Sequence, residues 1–117
     1  MNNGDVGIFL DTGWYMESTL YYCGRVYWCE GFTDSETGLS TFFVDSWEAE
    51  CLDGKLYRTY LDRAGEPQGY KKDLEIHGTD MDLLKKQFLM APIFEGKSFW
   101  QVENDLTWVD EGEPLVR

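Results

Sequence analysis

Positive charge is scarce in this 117-residue sequence. It has 10 lysines and arginines against 22 aspartates and glutamates, so the formal net charge is −12. Nucleic-acid phosphates and anionic membrane surfaces are bound mainly through lysine and arginine. The balance therefore predicts neither a nucleic acid nor a membrane as partner. An acidic surface suits a basic protein partner, a cation, or solubility alone.

Histidine and cysteine are also few, with one histidine and three cysteines. Cys23 and Cys29 lie on what is predicted to be one extended strand, and six residues span about 20 Å at roughly 3.3 Å each. They can then share neither a metal nor a disulfide. We predict free thiols, no metal and no cofactor. Any imidazole-based catalysis would have to use His77, for which a surface position is the commoner role.

Long apolar runs are missing, and so is an opening basic segment followed by an apolar one. This predicts no signal peptide, no transmembrane helix and a cytoplasmic location. Hydrophobic residues still make up 43% and aromatic residues 16%, enough for the core of a single domain over residues 1–117. The aromatic content favours sheet.

One short segment has a familiar pattern. Asp11-Thr12-Gly13 follows the apolar Ile8-Phe9-Leu10 and resembles the catalytic signature of aspartic proteases. The resemblance implies a second catalytic segment, which the rest of the sequence lacks, and Trp14 stands where that family has a small residue. A buried strand over residues 6–10 that ends in a polar turn explains the pattern equally well.

Alternating apolar and polar residues predict an antiparallel sheet. We expect strands at 6–10, at 18–32 with a bend or a bulge at Gly24, at 41–52 with a bulge at Asp45-Ser46, at 55–62 and at 70–76. Residues 99–109 fit either a strand or one face of a helix, and their aromatic and β-branched residues favour the strand. A frayed acidic tail would follow at 110–114. Thr79 is a candidate cap for a helix over about 79–91, which Pro92 ends. The predicted fold is α+β: a curved antiparallel sheet of about five to seven strands with this helix packed on it.

The Asp53-Gly54 pair is the clearest local signal, because these residue types suit a two-residue hairpin turn. Such a turn places Cys51 opposite Leu56, Ala49 opposite Arg58 and Trp47 opposite Tyr60. Two faces follow from this register. Trp47, Arg58 and Tyr60 would share one face, and Glu48, Glu50 and Tyr57 the other.

These six residues carry two hypotheses of function. In the first, an acidic, aromatic sheet face built on Glu48, Glu50 and Tyr57, with Asp45 and the Asp110-Glu111 tail, binds a basic protein partner. In the second, Arg58 binds an anionic small molecule in an aromatic cavity floored by Trp47, Tyr60 and Trp28. Snorkelling of Arg58, or an ion pair with Asp45 or Asp62, would explain its position without a ligand.

The first hypothesis is the one that we carry forward. In size, acidity and lack of a catalytic constellation the chain resembles the small cytosolic immunity or inhibitor proteins that neutralise basic nuclease toxins, a similarity of composition that assigns no residues. We therefore expect a non-enzymatic protein-binding domain. A strand that is apolar on both faces also allows a homodimer.

Overall fold

The structure, a computed structural model, describes the backbone of residues 18–116 and the side chains of residues 18–109. Within this range the chain forms, in order, β1 (Ser18–Tyr22), β2 (Arg25–Thr33), β3 (Ser40–Leu52), β4 (Leu56–Leu61), β5 (Lys71–Gly78), α1 (Met81–Met90), α2 (Phe99–Val102), a 3-10 turn (Glu103–Asp105) and β6 (Thr107–Val116). The predicted strand at 6–10 and the Asp11-Thr12-Gly13 segment lie outside the described residues.

The six described strands form one curved sheet in the order β2-β1-β6-β4-β3-β5. An additional pairing of β2 with β3 closes five of them, all except β5, into a ring. All pairings are antiparallel except β4 with β6, which is parallel. The predicted α+β fold with a curved, mainly antiparallel sheet is confirmed.

Residues 18–32 form a hairpin, and the prediction of one bent strand is wrong. Cys23 and Gly24 both have positive φ angles, 47° and 81°, as in a type I′ turn. The turn pairs Leu20 with Tyr27 and Tyr21 with Val26. Sequence reasoning missed it because cysteine rarely adopts this conformation.

β3 is long because three strands pair with it. Its Ser40–Glu48 segment pairs with β2 without a break, and on the other edge β5 pairs with Ser40–Ser46 and β4 with Ala49–Leu52. The register shift lies in the β3–β5 ladder between Val44 and Asp45. Because Val44 is opposite Leu74 and Asp45 is opposite Lys72, the extra residue is Asp73 of β5. The predicted bulge is thus close in position, but β5 supplies its extra residue.

The β3–β4 turn has three residues, and the predicted two-residue register is wrong. Asp53 and Gly54 have φ angles of 58° and 70°, and the Lys55 N–H donates to the Leu52 carbonyl at 3.2 Å. The observed pairs are Leu52 with Leu56, Cys51 with Tyr57, Glu50 with Arg58 and Ala49 with Thr59. The one-residue shift moves every β4 side chain to the opposite face from the one predicted.

Two apolar clusters lie on opposite sides of this sheet. The cluster inside the ring receives residues from all five of its strands: Tyr21, Val26, Trp47, Tyr57 and Val109, with Trp28, Ala49 and Cys51 beside them. The larger cluster lies between the sheet and the helices and includes Leu20, Tyr27, Phe42, Val44, Phe88, Phe94 and Phe99. The strands therefore bury side chains on both faces.

The helix α1 begins and ends close to its predicted limits, although its cap differs. The Asp80 carboxylate accepts hydrogen bonds from the amides of Asp82, at 3.1 Å, and Leu83, at 3.3 Å, so Asp80 and not Thr79 caps it. Ala91 is the C-cap, directly before Pro92.

Residues 99–109 do not form the single strand that was favoured over a helix. The first half is helical, and the strand β6 begins at Thr107 and continues to Val116. The predicted frayed tail at 110–114 is thus also wrong, because β6 pairs with β4 from Asp110 onwards. A parallel pairing between distant segments leaves no local signal in the sequence.

Candidate functional site

The six residues predicted as a site lie on two sides of the sheet. Trp47 and Tyr57 belong to the cluster inside the ring, where they are 9% and 2% exposed. Trp47 packs between Trp28 and Tyr70, with ring centroids 6.1 Å and 6.3 Å away. These two aromatic residues therefore serve mainly the core.

Glu50, Arg58 and Tyr60 lie together on the outer side of the ring. Arg58 is exposed and opposite Glu50, and the Tyr60 hydroxyl donates to Glu50 Oε2 at 3.0 Å. Glu48 is opposite Arg25, and its backbone amide donates to the Gln68 carbonyl at 2.9 Å. The expected grouping of Arg58 and Tyr60 with Trp47 on one face is wrong, because the turn is one residue longer than predicted.

The register of β2, β3 and β5 creates a different surface, which we name the acidic aromatic face. Cross-strand partners share a side of the sheet, so three rows of three residues line up across it. The rows are Phe32-Thr41-His77, Glu30-Phe43-Glu75 and Trp28-Asp45-Lys72. It is the side opposite to Phe42 and Val44, which the helices cover.

Large aromatic and charged side chains are accessible on the acidic aromatic face. Phe32 is 51% exposed, and the side chains of Glu75 and His77 are 55% and 49% exposed. Trp28, Glu30, Phe43 and Asp45 are half-buried. Three carboxylates thus alternate with three aromatic rings on an accessible part of the sheet.

Hydrogen bonds hold the polar groups at two corners of this face. His77 Nδ1 lies 2.9 Å from Thr41 Oγ1, and its Nε2 lies 3.2 Å from Glu75 Oε2. At the other corner the Tyr70 hydroxyl donates to Asp45 Oδ2 at 2.8 Å. This hydrogen bond is the main reason why the pKa of Tyr70 is raised.

The loop between β2 and β3 sets the register of these rows. The Asp34 carbonyl accepts from the Gly38 N–H, the Asp34 N–H donates to the Leu39 carbonyl, and Asp34 Oδ1 accepts from the Glu36 N–H, all at 2.8 Å. The alternation of Trp28, Glu30 and Phe32 was a usable signal in the sequence. It was missed because the predicted single strand over 18–32 gave this segment no defined partner.

The cysteines and the possible metal ligands are described next. All three cysteines are free, and burial raises the pKa of the Cys29 thiol, so this thiol stays protonated. Within the described residues no three side chains of the histidine, cysteine, aspartate or glutamate types lie close enough to hold a metal ion.

None of the helices in the described part of the chain is long and apolar enough to cross a membrane. The sequence matches no protein-family model, no curated protein and no solved structure.

Proposed function

We propose that this protein is a non-enzymatic cytoplasmic domain that binds a basic protein partner through its acidic aromatic face. The main observation behind the proposal is the cross-strand register of β2, β3 and β5. It brings three carboxylates and three aromatic rings together on one face of the sheet. Such a surface combines the two ingredients of protein recognition, aromatic anchors and complementary charge.

The two kinds of side chain have separate roles in this proposal. Phe32 and Phe43 supply apolar area that is accessible in the free protein and would be buried against a partner. Glu30, Asp45 and Glu75 would pair with lysine or arginine and, together with the net charge of −12, accelerate association. An inhibitor of a basic enzyme needs no more chemistry than this, because it acts by covering its target.

The competing hypothesis of an aromatic cavity containing Arg58 receives less support from the geometry. Trp47, Tyr57 and Val109 pack together inside the ring with their neighbours. Arg58 projects from the other side of β4 and is exposed. A ligand bound to Arg58 could therefore contact Tyr60, but not Trp47 or Trp28, which lie inside the ring.

The test measures binding to the basic product of an open reading frame next to this gene. We expect the double charge reversal Glu30→Lys/Glu75→Lys to weaken binding by about 100-fold, since two attractive contacts become repulsive. The matched control is Glu36→Lys/Glu66→Lys, which changes the net charge equally but at two exposed loop positions. We expect the control to change affinity by about threefold or less.

Calorimetry or interferometry at two salt concentrations separates charge steering from anchoring. An equal loss in both double variants would show that net charge matters and the face does not, which contradicts the proposal. Binding that persists in Glu30→Lys/Glu75→Lys would contradict it as well. If instead the purified protein is a dimer that this variant dissociates, the face serves a homodimer and not a foreign partner.

A further inference from the structure

The acidic aromatic face ends at an open edge of the sheet. Among the described strands, β1, β2, β3, β4 and β6 close into a ring, so each of them has a neighbour on both sides. β5 lies outside the ring and pairs only with β3. No other strand of residues 18–116 covers the outer side of β5, and the backbone groups that point there can pair with a further strand.

The second half of β5 is the part of this edge that suits pairing. The first half carries Lys71 and Lys72 and the bulge at Asp73, and charges and bulges are the features that keep edge strands from pairing. Residues 74–78 are regular, because they pair one by one with residues 44–40 of β3. An added strand would therefore lie along residues 74–78.

The side chains of this segment define what an added strand should carry. Glu75 lies on the acidic aromatic face, at the β5 end of the row that begins with Glu30, and its side chain is 55% exposed. Leu74 and Ile76 are half-buried and pack against the apolar cluster between the sheet and the helices. Cross-strand partners share a side of the sheet, so a basic residue belongs opposite Glu75 and apolar residues belong on either side of it.

We propose that an extended segment of the basic partner adds to β5 as a further strand, with an apolar-basic-apolar pattern opposite residues 74–76. This inference rests on the proposed function and specifies how the partner engages the acidic aromatic face. Backbone hydrogen bonds provide affinity, and the basic residue provides specificity through Glu75. A carboxylate accepts several hydrogen bonds, so the contact of Glu75 with His77 leaves it able to bind an arginine. Lys72, on the same face, would repel a second basic residue farther along the strand.

The probe is the peptide acetyl-Thr-Val-Arg-Val-Thr-amide, whose symmetric pattern suits an antiparallel or a parallel strand. It is titrated into the ¹⁵N-labelled full chain, and the amide signals of residues 74–78 are followed. We expect saturable shifts there with a dissociation constant of about 1 mM, because a short peptide must be ordered on binding. The same peptide with glutamate in place of arginine should bind at least about fivefold more weakly. No saturable shift at residues 74–78, or equal binding of the two peptides, overturns the proposal.

Two N-methylated peptides test strand addition itself. One carries a methyl group on the arginine nitrogen of the backbone, and the other carries one on each valine nitrogen. Alternate residues of a strand direct their N–H groups to the same neighbour, so only one of these peptides loses its hydrogen bonds to β5. We expect that one to bind at least about 10-fold more weakly than the parent peptide and the other to stay within about threefold. Equal affinities of the two methylated peptides would show that the peptide does not bind as a strand.

Variants of the protein test the assigned carboxylate. Glu75→Gln should weaken binding of the arginine peptide by about fivefold, because it removes the charge opposite the arginine. Glu36→Gln, which removes one carboxylate from an exposed loop, is the matched control and should leave the affinity unchanged. Equal affinities of these two variants for the arginine peptide would contradict the role of Glu75.

Failure of this inference and failure of the proposed function are distinguishable. If the arginine peptide does not bind, but the basic product of the neighbouring open reading frame does and depends on Glu30 and Glu75, strand addition is wrong and the proposed function stands. Signals of residues 74–78 that shift with the concentration of the protein alone would show that a second copy occupies the edge. That result overturns the inference as well.

Discussion

Tyr27 shows how one residue links the core to the polar edge of β5. It is fully buried, and its ring packs 4.7 Å from that of Phe94. Burial, followed by the nearby Asp73 carboxylate, raises the pKa of Tyr27 from 10.0 to about 12. Because the folded state holds this proton more tightly than the unfolded state, the stability linked to it is complete below pH 10. It is lost as the pH rises towards 12.

This linkage predicts a specific alkaline response. Between pH 8 and pH 11.5 the unfolding free energy of the wild type should fall by about 2 kcal/mol more than that of Tyr27→Phe, which has no proton to lose there. Urea unfolding at several pH values measures this difference. The phenolate absorbance that titrates near pH 12 in the wild type should also be missing from the variant. Equal alkaline losses in both proteins would contradict the assigned pKa.

At the scale of single elements, α1 is the segment whose local signals were most informative. Its apolar spacing, acidic first turn and the following Pro92 were all visible in the sequence, and the helix occupies Met81–Met90. Only the N-cap residue differs from the prediction: it is Asp80, one residue after Thr79. Thr79 and Asp80 are both capping types, and the choice between them depends on the path of the chain leaving β5.

The cap can be assigned by a matched pair of variants. Asp80→Ala should lower the unfolding free energy by about 1 kcal/mol, because two helix amides lose their acceptor. Thr79→Ala should lower it by less than about 0.5 kcal/mol. Thermal or urea unfolding of the two variants checks the difference. A larger loss of unfolding free energy in Thr79→Ala than in Asp80→Ala would show that Thr79 caps the helix, as the sequence suggested.

At the scale of the whole molecule, closure of the ring decides which side chains are buried. The pairing of β2 with β3 and the parallel pairing of β4 with β6 enclose Trp47 and Tyr57. The same closure leaves Arg58 outside. A register shift of one residue in β4 would exchange the positions of Tyr57 and Arg58.

Adjacent substitutions in β4 therefore test the ring. Tyr57→Ala should lower the unfolding free energy by about 3 kcal/mol or more, since it leaves a cavity in the enclosed cluster. Arg58→Ala should change it by less than about 1 kcal/mol, because Arg58 is exposed and its cross-strand neighbour Glu50 is too. Urea unfolding with a common denaturant slope provides the comparison. The reverse order would support the two-residue turn and disprove the observed register.

The sequence by itself determined the α+β class, the position of α1 and the existence of the hairpin at Asp53-Gly54. These features depend on residue type and on periods of two or about 3.6 residues, which are local properties. Local patterns could not decide the registers, because several strands are apolar on both faces and fit either orientation. The strand registers are determined by contacts between segments that are distant in the sequence.

Two bends of the chain illustrate the physical reason. Cys23 adopts a left-handed conformation that its residue type disfavours, and Lys55 extends a turn that Asp53-Gly54 could have completed alone. In both places the pairing of neighbouring strands and the filling of the ring outweigh a local preference of about 1 kcal/mol. The acidic aromatic face is a consequence of these registers, and so it became visible only in the folded chain.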